Sequence, residues 1–486
     1  MTGAKDQSVV IVGAGLVGSL LACYLGRRGY RVDVYERRPD PRSATAERGR
    51  SINLALSERG LDALRRIDLV DTVMAPALPM HGRMIHAVDG QTTFQAYSAR
   101  GDRAINSIGR AALNETLLDA AEATPGVTVC FDSRLAGYDL ASNTLTFELG
   151  GTTFEVTPDV VLAADGFGSV VRQSLQSLGR VAVVTDMLDF GYKELTIPAR
   201  DGDFTLDPDA LHIWPRGASM MIALPNPDGS FTCTLFWPKS GDDGFDELET
   251  EAEILAHFST VYPDAVPLMP TLVEDYQYNP VGLLATVHTD PWQVEGKVGL
   301  VGDSAHAILP FFGQGANCGF EDVVELDRCL AEVDDDWTLA LPMYQERRRA
   351  NAEAIAQLAK DNFVEMRDKV GSRAFRAATR LEHQLERMLP GRYLSRYEMV
   401  SFTTIPYADV VVRARRQHRV VAVGLGVLAL GVTALAIRAL QRRPELGPGS
   451  EGAAARDRRR RVDDGDALGV ADHDPCARVG RVAVGD

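Results

Sequence analysis

Three side chains capable of chemistry crowd one stretch, VGDSAHAILPFFGQGANCGFED, from Val301 to Asp322. Asp303, Ser304 and His306 stand together there, just ahead of a Gly-rich turn. Acid, hydroxyl and imidazole invite comparison with a hydrolytic triad. A triad needs a nucleophile and a base converging from separate parts of a fold, with a third group orienting the base. Neighbours on one loop are poorly placed for that, and no G-x-S-x-G elbow surrounds Ser304. The alternative is a surface that holds something large. Gly13-Ala14-Gly15-Leu16-Val17-Gly18 is a G-x-G-x-x-G between an apolar strand and a helical pattern. Gly13 permits the tight turn, Gly15 lets backbone approach a pyrophosphate, and Gly18 allows close helix–strand packing, with the helix N-terminus facing the phosphates. Glu36, ending the next strand, stands where an acid takes ribose hydroxyls. Together these residues read as a dinucleotide site and leave FAD and NAD(P) both open. The bland alternative is a tight turn with no ligand.

The elements that must position these residues are legible around them. Val9 to Val12 is a short apolar run, Leu16 to Arg28 has helical periodicity closed by Gly29, and Val32 and Val34 carry a second strand. This is a βαβ unit, which predicts an open, doubly wound parallel sheet. DVVLAAD (159–165) and KVGLVGD (297–303) are expected to join that sheet, each ending in Asp at the edge where such sheets bind ligands. From about Val181 to Leu284, short alternating segments such as SMMIAL and FTCTLFW predict an antiparallel sheet. From Glu321 to about Met388 the chain reads helical.

Bulk properties narrow the class. The chain has 486 residues, with 45% hydrophobic and 24% charged content, as expected of a globular enzyme of one large or several smaller domains. A net charge of −16 argues against a general nucleic-acid binder. The six cysteines form no C-x-x-C pair, so no metal site is expected and a reduced, cytoplasmic setting fits best. No signal-peptide pattern precedes Val9, and no internal repeat is found.

AADGFGSVVR, with Asp165-Gly166 followed by Ser169 and Arg172, completes a three-part pattern with the N-terminal unit and the Val301–Asp322 stretch. In this order the three resemble the single-component FAD-dependent aromatic hydroxylases. GRSINLALSERG (49–60), AINSIGR, LHIWPRG, PFFGQGANCGFEDV and DNFVEMRD sharpen this to a resemblance to the kynurenine 3-monooxygenase family, over roughly residues 8–405. The fold so implied is α/β: a Rossmann-like FAD-binding domain with an inserted antiparallel-sheet substrate domain, p-hydroxybenzoate hydroxylase-like, and a helical C-terminal region. The implied boundaries are residues 1–75, 106–180 and 286–335 for the FAD-binding domain, and 76–105 and 181–285 for the substrate domain. A helical region at 336–419, an apolar helix at 420–440 and a disordered tail at 441–486 follow.

The resemblance also implies roles. Asp303 would accept a bond from the ribityl chain of FAD. Pro310, Gly313, Gly315, Ala316 and Asn317 would lie along the flavin ring, and the helix starting near Asn317 would stabilise negative charge on it. Glu36, Arg38, Ala55, Arg110 and Asp165 would be further cofactor contacts, although Arg110 also fits an exposed first-turn arginine. Ser304 and His306 become structural. Arg83 and Tyr97 would hold an amino-acid carboxylate, since an arginine fork bonds both oxygens. Asn362 and Tyr397 would complete that polar end, and Phe236, Phe312 and Met366 would wall the aryl ring. On residue type alone each has a bland alternative, such as core filler for Met366. The sequence departs from the family at Ala316, where most members carry Met.

The implied reaction is hydroxylation of L-kynurenine to 3-hydroxy-L-kynurenine with NADPH and O2, through a flavin C4a-hydroperoxide. Alternatives are the same chemistry on a ring-modified kynurenine or related aryl amine, and a flavin-binding protein without turnover. A halogenase is disfavoured because no W-x-W-x-I-P occurs. Val420–Ile437 is an uncharged apolar run of about the minimum length for a span. Arginines flank it on both sides, which disfavours crossing under the positive-inside rule. Membrane association through this segment is expected, with docking on the enzyme as the alternative.

Overall fold

Strands buried on both faces read as unbroken apolar runs because neither side meets water. The computed structural model describes residues 7–43, 53–241, 243–369 and 372–441. It gathers six strands into one sheet, in the order Gln293–Val294, Val298–Leu300, Val160–Ala163, Ser8–Val12, Arg31–Tyr35 and Val127–Cys130, and the second to fourth of these are the ones buried on both faces. All neighbours are parallel except the pair with Gln293–Val294. Both Asp-ended strands expected from the sequence join it, and Val9, Val10, Ile11 and Val161 are buried in its centre. The helix Leu16–Arg28 starts at Gly15 and stops at Gly29, whose φ of 93° is left-handed.

A second sheet of seven strands runs Gly282–Asp290, Ala182–Ile197, Phe231–Pro238, Met220–Pro225, Ala210–Pro215, Gly82–His86 and Thr92–Ala96. It is antiparallel apart from one parallel seam, between Ala210–Pro215 and Gly82–His86. The segment 82–96 thus shares a sheet with strands more than a hundred residues later. Strand alternation gives this sheet two buried faces. Phe231, Cys233, Leu235 and Trp237 enter one core with Trp214 and Phe258. Phe236, Ile213 and Ile85 enter another with Phe311, Phe312, Ile355, Met399 and Tyr407.

The helices Gly315–Glu332, Trp337–Val364, Arg373–Met388 and Arg396–Ser401 close the fold, with a π-helical turn at Glu365–Lys369. Ionic side chains tie them to the N-terminal domain. Arg59, in the helix Glu58–Arg65, is buried, ion-paired to Glu321, and donates to the carbonyls of Val400 at 3.0 Å and Ile405 at 2.5 Å. Arg348 bonds Glu321 at 2.9 Å and Asp322 at 2.7 Å, and His306 Nε2 lies 2.5 Å from Asp322.

The chain divides into a unit Met1–Arg419 and a unit starting at Val420. The described residues of the second belong to the helix Tyr407–Gln441. Among the described residues, no helix is long and apolar enough to cross a membrane. The tail after Gln441, and residues 49–52 of the GRSINLALSERG motif, lie outside the described residues.

Candidate active site

A cavity of about 650 Å³ opens within the Met1–Arg419 unit. Its lining includes Gly15, Leu16 and Val17 from the first helix's N-terminus, and Arg83, Tyr97 and Tyr397 from elsewhere. A Cβ on Gly18 would lie 1.9 Å from the Gly13 carbonyl oxygen, so that glycine is demanded by the turn itself. A Cβ on Gly15 would meet nothing within 4 Å. Gly15 therefore faces free space where the first backbone N–H groups of the helix lack intrahelical partners, a ready cradle for phosphate oxygens.

Glu36 and Arg38 are not in the cavity lining. Glu36 accepts from the Ala14 N–H at 2.9 Å and from the Arg38 guanidinium at 2.8 Å. Burial works against its ionisation, but Arg38 and the two backbone donors outweigh it and hold its pKa below the usual range. Asp165 is also outside the lining. It accepts from the Val170 N–H at 2.7 Å and the Ser304 hydroxyl at 3.0 Å, stitching two strand ends together. Its neighbours Gly166 and Phe167 do line the cavity.

Asp303, Pro310, Gly313, Gly315, Ala316, Asn317, Ala55 and Arg110 all line it. The helix of Asn317 begins two residues earlier than expected, at Gly315. Asn317 donates to the carbonyls of Ala55 at 2.9 Å and Gly313 at 2.8 Å, and accepts from the Ser57 N–H at 2.9 Å. One amide thereby locks three loop segments, and Gly313 keeps its left-handed φ of 64° beside Ala55. Asp303 is accessible only because its side chain opens into the cavity. Desolvation by the surrounding protein raises its pKa, against the pull of His306 and Arg110. No hydrogen bond to its carboxylate is found among the described residues. Arg110 is both exposed and cavity-lining, so the two roles considered for it are compatible.

Away from the glycines the walls are apolar, with Phe236, Phe312 and Met366 joined by Leu211, Ile222 and Phe311. Arg83 is 7% exposed, and its buried Nε has no hydrogen-bond partner. Its guanidinium carbon lies 4.8 Å from the Tyr397 ring centre and 5.8 Å from that of Tyr97, and the two rings stack at 5.0 Å. Burial disfavours its charge, but Tyr397 and Tyr97 more than compensate and raise its pKa. Glu365, a carboxylate that acts on Arg83 electrostatically, is itself ion-paired to Arg396 at 2.7 Å. Asn362 does not line the cavity; its amide donates to the Phe311 carbonyl at 2.6 Å, behind the wall.

Thr232 and Thr234 line the cavity beside Phe236 and were not anticipated, although alternation in FTCTLFW puts all three on one face. Tyr192 was missed as well, and nothing local marks it. His306, Cys318 and Asp322 cluster closely enough to suggest a metal site. Arg348 already bonds two of the three, at 2.7 Å from Asp322 and 3.3 Å from the Cys318 sulfur, and a guanidinium there repels a cation. His306 and Ser304 hydrogen-bond within the protein, to Asp322 and to Asp165 and Gly166.

These observations fit FAD. The open cradle at Gly15 suits a pyrophosphate, the unpartnered Asp303 carboxylate suits a sugar hydroxyl, and the N-terminus at Gly315 suits a ring that becomes anionic.

The profile of the family described as FAD binding domain matches residues 6–359. The kynurenine 3-monooxygenase of Myxococcus xanthus is 46% identical over 410 residues, covering 84% of this chain and 88% of that protein. That of Salinispora tropica is 44% identical over 446 residues, covering 90% and 98%. That of Dictyostelium discoideum is 44% identical over 416 residues, covering 83% and 90%. Among solved structures, 2-methyl-3-hydroxypyridine-5-carboxylic acid oxygenase superposes with a TM-score of 0.61 at 22% identity, over 77% of this chain and 96% of that one. The p-nitrophenol 4-monooxygenase of Pseudomonas putida DLL-E4 gives 0.60 at 20% identity, over 78% and 94%. The two structures share the fold.

Proposed function

The chain belongs to the FAD binding domain family and, within it, to the kynurenine 3-monooxygenases; from that premise we propose that it hydroxylates L-kynurenine to 3-hydroxy-L-kynurenine, using NADPH and O2. The observation that carries the substrate assignment is Arg83, a buried guanidinium with an unpartnered Nε in an otherwise apolar part of the cavity. A buried cation without a carboxylate is costly, and a substrate carboxylate would satisfy it through the paired bonds its planar fork favours. Tyr97 and Tyr397, with pKa values raised by burial, stay protonated and offer hydroxyl donors to the same oxygens.

Bound FAD supplies the redox chemistry that no side chain here can perform, passing electrons from NADPH to O2. Gly15 and the helix behind it would hold the pyrophosphate, and Glu36 the ribose of the adenosine part. Asp303 would accept from the ribityl chain. The N–H groups of Gly315 and Ala316 would face the flavin's pyrimidine edge and favour its anionic form. Phe236, Phe312 and Met366 would press the aniline ring flat and keep water from the reacting carbon. The aniline nitrogen of kynurenine activates the adjacent ring carbon by itself, so no protein acid–base pair is needed. We place the enzyme in the cytoplasm, and any membrane contact through Val420–Ile437 along the surface.

Purified, FAD-loaded protein mixed with NADPH in air tests this. L-kynurenine should accelerate NADPH loss and gain one oxygen by mass. Bound flavin with neither acceleration nor product would sink the substrate assignment and send the search to other aryl amines.

A further inference from the structure

Two sequence motifs, HGRMIH and LHIWPRG, contribute Arg83 and Leu211 to the cavity, yet their other polar residues meet on the opposite face of the same sheet. His86 and His212 are both buried there. His86 Nδ1 lies 2.9 Å from Asp264 Oδ2, and His86 Nε2 lies 2.9 Å from His212 Nδ1. His212 Nε2 in turn lies 2.9 Å from the Asp207 carbonyl oxygen. Trp214 stacks on His86 at 4.0 Å and donates its indole N–H to Asp264 at 2.8 Å. Arg216 sits 3.6 Å from the other Asp264 oxygen and donates to the His86 carbonyl at 2.8 Å. Tyr262, hydrogen-bonded to Ser219 at 2.6 Å, lies beneath Arg216.

The protons can be counted. A carbonyl only accepts, so His212 Nε2 carries a proton. Asp264 accepts from Trp214 and pairs with Arg216; burial opposes its ionisation, but its bonds to His86 and Trp214 win and keep its pKa low. Burial pushes the His212 pKa down to about 4, so that ring is neutral and its Nδ1 is left to accept from His86 Nε2 across the 2.9 Å contact.

This hydrogen-bonded link sits at a mechanically significant place. The strand Gly82–His86 is held to the body of the sheet by its parallel seam, from Ala210 opposite Gly82 to Ile213 opposite Ile85. On its other side stands only the edge strand Thr92–Ala96. His86 is the first residue past the end of the seam, and its bond to His212 extends the seam through side chains. We propose that His86 is a positioning residue for Arg83: the hydrogen-bonded His86–His212 link, anchored on Asp264, fixes the strand from behind so that the guanidinium meets the substrate at the right height. This rests on Arg83 taking the substrate carboxylate.

Steady-state kinetics of FAD-loaded His86→Leu, Asp264→Asn and Arg83→Met, each with L-kynurenine and with an analogue lacking the carboxylate, test it. His86→Leu and Asp264→Asn should each raise KM for L-kynurenine about tenfold while kcat stays within about twofold, and leave the analogue's KM unchanged. Unchanged KM in both, with a raised KM in Arg83→Met, overturns the positioning role alone. Unchanged KM in Arg83→Met overturns the carboxylate assignment beneath it. Should the variants not fold, histidine 15N NMR of the unaltered protein at pH 7 decides. A hydrogen bond detected between His86 Nε2 and His212 Nδ1 supports the link, and two rings with no such bond overturn it.

Discussion

Replacing Arg83 by Met should separate function from stability. In the free enzyme the guanidinium is buried, its Nε bonds nothing, and its neighbours are two tyrosine rings and apolar side chains. With substrate bound it would make two charge-assisted bonds, each worth about 1.5–3 kcal/mol. Losing both costs about 3–6 kcal/mol, which lowers kcat/KM for L-kynurenine by roughly two to four and a half orders of magnitude. Stability should move little. Met fills much of the same volume, and it loses the desolvation cost of the charge together with its compensation by the tyrosines, so the substrate-free protein should stay within about 1 kcal/mol. Initial rates at saturating NADPH give the first quantity and urea unfolding of flavin-loaded protein gives the second. A variant destabilised by more than about 2 kcal/mol with near-normal kcat/KM would show Arg83 to be a structural cation and refute the reasoning.

Gly15→Ala, whose Cβ meets empty space, should leave Tm within a degree or so while weakening FAD retention. Gly18→Ala, whose Cβ falls 1.9 Å from a carbonyl oxygen, should destabilise the fold itself; flavin absorbance and Tm distinguish the two. Asn317→Ala strands two carbonyls and one N–H and should cost about 2–4 kcal/mol, read by thermal unfolding together with flavin loss. Glu398 is buried with an unpartnered carboxyl oxygen, and desolvation raises its pKa to about 7 despite Arg103 at 3.5 Å. Because the folded-state value lies above the unfolded one, stability should fall as pH rises from about 4.5 to beyond 7. Glu398→Gln should abolish that component, gaining about 2 kcal/mol at pH 8 after allowing for residual solvation, as urea unfolding across pH would report.

The glycines and the turn around Asp303 were legible because their backbone geometry tolerates few other residues. Apolar runs were enough to identify the parallel sheet, since a strand buried on both faces has no polar side to confuse the pattern. Carboxylates were harder to place. Asp165 and Glu36 occupy the expected strand ends, yet both spend hydrogen bonds on the protein's own N–H and O–H groups, which no local pattern announces. The sharing of one sheet by 82–96 and 182–290 is a long-range pairing, and alternation within either segment is silent about it. Thr232 and Thr234 could have been found by carrying the period of two back from Phe236. Tyr192 and the His86–His212 link depend on which strands become neighbours.

The buried Arg59 has a consequence for biosynthesis. Its carbonyl acceptors, at Val400 and Ile405, lie about 340 residues downstream, and its ionic partner Glu321 about 260. At 5–20 residues per second a ribosome needs roughly 17–70 s to deliver them. Throughout that interval the helix Glu58–Arg65, early as it is in the chain, carries a cation that it cannot bury. The FAD-binding domain therefore closes last around the residue it makes among the first, and a chain cut short before Ile405 should be held open at Arg59, exposed to proteases and chaperones.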